Sequence, residues 1–170
     1  MGIYLNGTGA YRLYKGETIK PYFVDKSQML EELFPMVDSG NSHICITRPR
    51  RFGKTVMANM VASFFSKGCD AQDVFQNLAI ARHEKYSQYR NQFSVIHISF
   101  NDISRKCTSY EDYIGRIEKR LVEDLRTEYP SVKIDEEGDV IDTLLNICGD
   151  DPFAGFIFVL DEWDFIFHQD

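Results

Sequence analysis

Cysteine is sparse in this chain: four in 170 residues, Cys45, Cys69, Cys107 and Cys148. They lie far apart with no C-x-x-C pair, which excludes a zinc knuckle or a disulfide framework as the organising device. A basic surplus is missing too. Nineteen Lys and Arg stand against 26 Asp and Glu, for a formal charge of -7, so the chain as a whole offers no basic footprint and nucleic acid is not an expected partner. There is no apolar run of about eighteen residues, and no basic stretch followed by an apolar core opens the chain, so neither a membrane span nor a signal peptide is expected. The expected location is cytoplasmic.

Several motifs begin and then fail. His83-Glu84 opens a zincin signature, but Ser87 stands where the second His belongs. Gly7-Thr8-Gly9 has no strong strand before it, and Arg12 replaces the third glycine of a dinucleotide fingerprint. Asp135-Glu136-Glu137-Gly138 has a D-x-x-G form in a polar loop, yet no N-K-x-D guanine signature occurs anywhere. Hydrophobic residues at 44% and aromatics at 14% are globular values that exclude disorder and suit one folded domain.

The run Thr47-Arg48-Pro49-Arg50-Arg51-Phe52-Gly53-Lys54-Thr55 follows the apolar His43-Ile44-Cys45-Ile46 and precedes a helix-like segment. It reads as strand, phosphate-binding turn and helix. Such a loop needs backbone N–H groups around an anion, a Lys for the outer phosphates and a hydroxyl for Mg²⁺, at a helix N-terminus that favours negative charge. Gly53, Lys54 and Thr55 sit where those parts belong, although Arg48 replaces the first glycine of G-x-x-x-x-G-K-[ST]. Far downstream, Phe156-Ile157-Phe158-Val159-Leu160-Asp161-Glu162 is a strand run ending in two acids, the form of a Walker B strand whose Asp holds the Mg²⁺ shell.

These residues resemble a bacterial AAA-ATPase-like family whose loop reads R-P-R-R-F-G-K-[ST], here Arg48 to Thr55. Val24-Asp25-Lys26-Ser27 and Leu160-Asp161-Glu162-Trp163-Asp164 match as well, and the resemblance covers nearly all of the chain. It makes Arg48 a usual residue of the loop, and it implies ATP binding more firmly than turnover. Longer members often carry a C-terminal nuclease-like domain of the PD-(D/E)XK type, and no such site is found in this sequence.

Residues 1–22, with scattered glycines and no clear period, read as an irregular N-terminal arm, and 23–170 as the P-loop core. Asp25 or Ser27 is placed to cap a helix with Met29, Leu30, Leu33 and Val37 on one face, kinked or shortened by Pro35. In the family-like reading, Asp25-Lys26-Ser27 instead contacts the base or braces the loop. Val56, Met57, Met60, Val61, Phe64 and Phe65 mark the buried face of the helix after the loop, with Gly68 as its stop. Asp70 to Ala81 suggests a further short helix. Phe93 to Phe100 reads as a strand, with Asn101-Asp102 at its ligand-binding edge. Ser109 caps a long helix with Tyr113, Ile114, Ile117, Leu121 and Leu125 inward. A last helix from Val140 to Cys148 closes at Gly149.

Alternating strands and helices predict an α/β fold with a mostly parallel sheet, and the resemblance makes it a three-layer P-loop NTPase of RecA/AAA-like type. In such ATPases a sensor-bearing strand follows Walker B. The sequence ends shortly after Glu162, so the expectation is a sheet truncated at that point, with self-association or a partner chain completing it. The expected ligands are ATP, favoured over GTP, and Mg²⁺. Backbone amides of Arg50, Arg51, Phe52, Gly53, Lys54 and Thr55 would cradle the phosphates, Lys54 would bridge the β and γ oxygens, Thr55 and Asp161 would hold the metal, and Glu162 would orient water. The alternative is a non-catalytic, nucleotide-gated interaction module.

Overall fold

In a computed structural model, residues 2–40, 43–47, 49, 52–101, 107, 109–134, 138–151 and 154–165 are described. The chain divides into two compact units, Thr8–Phe93 and Met1–Gly7 with Ser94–Asp170. Among the described residues, no helix is long and apolar enough to cross a membrane.

The unit Thr8–Phe93 is helical. Gly9–Thr18 forms α1, Met29–Asp38 α2, Lys54–Phe65 α3, Gln72–Phe75 α4 and Tyr86–Tyr89 α5. Residues 9–18 are therefore an ordered helix within the stretch read as an irregular arm, with Ala10 and Tyr14 buried one turn apart. α2 runs through Pro35, which leaves Leu30, Leu33 and Phe34 buried. The Asp70–Ala81 helix divides into α4 and a 3-10 turn at Ala79–Arg82.

α3 is buried on nearly all sides from Met57 to Phe65, so it is a core helix rather than an amphipathic surface one. Phe64 meets the rings of Phe34, Phe65, Phe75 and Tyr86, and Phe34 stacks on Tyr89 with centroids 4.1 Å apart. Edge-to-face and offset ring pairs stabilise beyond the area they bury. Phe64 is fully buried, so Phe64→Ala is expected to cost about 3–5 kcal/mol through lost transfer energy and a residual cavity. A drop in the thermal unfolding midpoint measures it.

Asp25 and Ser27 do not cap α2, whose N-cap is Gln28 with no side-chain hydrogen bond. They hold a distant turn instead. Asp25 accepts from Ser27 N–H at 2.8 Å and Ala79 N–H at 2.7 Å, and Ser27 Oγ accepts from Ile80 N–H at 3.1 Å. Two otherwise unpaired backbone donors of the 3-10 turn are thereby satisfied.

The other unit holds the sheet. β1 (Ser94–Ser99) pairs in parallel with β2 (Phe156–Asp161), in a register that puts Ser94 beside Phe156 and Ser99 beside Asp161. A parallel pair requires a crossover, supplied here by α6 (Tyr110–Glu128) and α7 (Val140–Asp150). Ser109 Oγ caps α6 by accepting from Asp112 N–H, and the Asp139 carboxylate caps α7 by accepting from Asp142 N–H. Gly149 lies inside α7, and the helix ends one residue later. Tyr113, Ile117, Leu121 and Leu125 of α6 join Ile96, Ile98, Ile147 and Leu5 in one core.

Leu5 reaches that core because residues 4–6 lie antiparallel along β1. Leu5 bridges Ile96, His97 N–H donates to the Tyr4 carbonyl, and Val95 N–H donates to Asn6 Oδ1 at 2.9 Å. The Asp124 carboxylate on α6 accepts from Tyr4 and Leu5 N–H at 2.7 and 3.2 Å.

The architecture is mixed helix and strand, compatible with α/β. Among the described residues, however, the sheet has two strands, short of the three-layer P-loop sheet. The expected loop strand is the main correction. His43 to Thr47 are exposed and belong to no strand. An apolar run supplies propensity only, and a strand exists where a neighbour takes its backbone donors and acceptors.

Candidate functional site

Two groups of residues singled out in the sequence form local structures, one in each unit. The first is the start of α3. Gly53 is its N-cap at φ 79°, ψ 30°, and Lys54 is its first helical residue. That left-handed backbone strains any residue with a Cβ, so glycine is required here by conformation. Space is not the constraint, since the nearest neighbour to a Cβ at Gly53 would be the Lys26 amine at 3.8 Å.

The first N–H groups of a helix have no acceptor within it. Gly53 brings no side chain to cap them, and the first turn holds no acidic residue, so among the described residues no side chain caps the positive end of the helix. Met57 N–H makes the first intrahelical bond, to the Gly53 carbonyl at 3.0 Å. Lys54 is half-buried and Thr55 exposed, placing an amine and a hydroxyl on the first turn of the helix. Upstream, Phe52 N–H donates to the Pro49 carbonyl at 3.3 Å, and the Phe52 ring is 59% exposed. Arg48, Arg50 and Arg51 lie outside the described residues, as do Asp102 and residues 135–137.

The second group is the C-terminal end of β2. Asp161 is its last residue, and its carbonyl accepts from Phe100 N–H at 3.0 Å. Asp161 is 6% exposed, and its buried Oδ2 has no hydrogen-bond partner. A buried carboxylate oxygen without a donor is costly, and a hydrated divalent cation is the kind of group that satisfies it. Asp161 thus fits a magnesium ligand, although among the described residues no cluster of three metal-ligating side chains occurs.

Glu162 follows at φ 53°, a left-handed conformation that is uncommon outside glycine and concentrates at functional turns. The chain leaves the strand sharply there, and the Glu162 carbonyl accepts from Phe165 N–H. Beside Asp161 in register, Ser99 donates through Oγ to Asn101 Oδ1 at 2.7 Å, so Asn101 serves its own turn.

A model of the family described as predicted AAA-ATPase matches residues 14–169. The chain belongs to this AAA-ATPase-like family. No curated protein and no solved structure matches it. Membership agrees with the loop and the strand-end acids that carried the resemblance, and the family name points to a nucleotide-binding module. In this AAA-ATPase-like chain, Phe52 to Thr55 stand together at the start of α3, and Asp161 and Glu162 stand together at the end of β2.

Sequence reasoning overlooked Tyr14, which lines a cavity of about 320 Å³ beside Phe52 and Gly53, as do Lys26, Phe23 and Met60. The helical spacing of Ala10 and Tyr14 was the available signal, masked by the glycines around it.

Proposed function

We propose that this chain is a magnesium-dependent ATP-binding module of the P-loop kind. The observation that carries the reading is Gly53 in the left-handed conformation at the head of α3, with Lys54 and Thr55 on a first turn that has no side-chain cap at Gly53. Those amides and the helix end attract an anion, and Lys54 supplies the mobile charge for the outer phosphates. By the motifs, Thr55 is the magnesium ligand of the loop and Asp161 that of the strand. The bound metal would neutralise charge on the β and γ phosphates. Glu162 is assigned the water-orienting role, with its backbone turned away from the strand.

Titration calorimetry with Mg-ATP and Mg-GTP, alongside a phosphate-release assay, tests this. Saturable Mg-ATP binding is the expected result, and a folded sample that binds neither nucleotide would sink the reading. Glu162→Gln is expected to leave ATP affinity within about twofold and to lower phosphate release about a hundredfold or more, the size of a lost general base.

A nucleotide-gated interaction module is the second reading, favoured by the apolar side chains that β2 leaves uncovered. Phe158 and Leu160 are 50% and 51% exposed. Under it Glu162→Gln changes nothing, because the unaltered protein releases no phosphate.

A further inference from the structure

Helix α7 carries two apolar faces. On the inner one, Thr143 and Ile147 are fully buried, and Val140 and Leu144 pack against the core shared with α6. A helix on the surface of a folded unit ordinarily has one such stripe and is polar elsewhere. α7 has a second. Ile141 and Leu145, one turn apart, are 67% and 66% exposed, and Cys148, next along that face, is exposed as well. At 1.5 Å per residue this stripe runs about 10 Å along the helix, with the i, i+4, i+7 spacing that one helix presents to another.

The charge around the stripe is of one sign. From Ile134 to Phe167 the sequence holds ten Asp and Glu and no Lys, Arg or His. Asp142 follows Ile141 and stands three positions before Leu145, so its side chain borders the stripe. Asp150 is the last residue of α7, Asp151 is its C-cap, and the last turn has no basic residue. Carboxylates there add to the negative end of the helix instead of offsetting it. Neither Asp142 nor Asp150 forms an ion pair with a described residue. A second α7 laid on this face would set like charges together, and an anionic membrane surface would do the same.

We propose that the outer face of α7 docks a basic amphipathic helix of another protein. Apolar residues of that helix, three and four positions apart, cover Ile141, Leu145 and Cys148, and its Lys or Arg side chains meet Asp142 and Asp150. The stripe supplies the favourable loss of water contact, and the acids set the sign of the partner. Neither nucleotide binding nor turnover is required, so the inference stands apart from the reading above.

The test measures, by fluorescence anisotropy on the full chain, binding of a labelled peptide of leucine and lysine with leucines at helical spacing. The same peptide with glutamate for lysine is the comparison. The lysine peptide is expected to bind and the glutamate peptide to fail. Leu145→Asp, at an exposed position that the fold tolerates, should weaken the lysine peptide about thirtyfold, the scale of a central interface residue. That loss runs against charge alone, since the variant is more acidic. Asp150→Lys puts a cation at the helix C-terminus, where it is favourable. Its thermal midpoint should hold or rise, while the lysine peptide weakens about fivefold, the size of one exposed ion pair. The bound peptide should also protect Cys148 from a maleimide and leave Cys45, likewise exposed, unprotected.

No binding, binding that Leu145→Asp leaves unchanged, or equal binding of the glutamate peptide overturns the proposal. Self-association in sedimentation that Leu145→Asp abolishes would make a second copy the occupant. Binding to phosphatidylcholine vesicles abolished by the same change would make it a membrane. Either result overturns the partner assigned here.

Discussion

Lys54→Ala is expected to weaken Mg-ATP binding by about a hundredfold or more, the scale of removing one partner from a desolvated charge pair. The effect should be large, because Lys54 is the only cation on the first turn of α3 and its partner is a multiply charged phosphate. The fold should not suffer. Lys54 is half-buried at the helix start, and alanine is the strongest helix former. In thermal unfolding without ligand, the variant should therefore match the unaltered protein. With ligand at a hundred times Kd, the unaltered protein gains about 2.7 kcal/mol by mass action, and Lys54→Ala should gain almost none. A variant that binds ATP normally would remove Lys54 from the site and the loop reading with it.

Asp161→Asn is expected to separate stability from function. Asp161 is 6% exposed and its Oδ2 lacks a donor, so the folded protein leaves a buried polar oxygen unsatisfied when no cation is present. Replacing it with the isosteric amide should stabilise the ligand-free protein by about 1 kcal/mol, a rise in midpoint of about 2–4 °C for a chain of this size. The same change should abolish the dependence of ATP binding on magnesium, since an amide oxygen is a weaker ligand than a carboxylate for a hard cation. Unfolding curves with and without Mg-ATP read both effects. A destabilised Asp161→Asn would mean that the carboxylate braces the end of β2, and the metal role would be withdrawn.

Active-site residues are often destabilising in the free protein because they are arranged for a ligand rather than for one another. Asp161 and Glu162, proposed above to hold magnesium and to orient water, fit that pattern side by side. One has a buried carboxylate oxygen without a hydrogen-bond partner, and the other holds a left-handed backbone without being glycine. In contrast, Asp25 and Ser27, also part of the family pattern, are fully used in pinning the turn at Ala79 and Ile80. Those bonds brace the turn, and of that triplet Lys26 alone lines the cavity beside Gly53.

What the sequence by itself determined is whatever acts over a few residues. The period of Tyr113, Ile117, Leu121 and Leu125 and the Ser109 cap define α6, and the β-branched and aromatic runs define β1 and the strand ending at Asp161. Gly53-Lys54-Thr55 marks the head of α3 because only glycine suits the turn before it. Family membership was legible for the same reason, since its motifs are contiguous.

Tertiary structure alone decided which apolar runs become strands. His43 to Ile46 and Ser94 to Ser99 look alike in sequence, yet only the second finds a ladder partner. It also decided that Leu5 is core, held by a carboxylate on α6 more than a hundred positions away, and that Tyr14 borders a cavity beside the loop. Backbone pairing and cavity walls depend on which distant segments the chain brings together. Periodicity and caps carry no information at that range, because the interactions that set them end within about one helical turn.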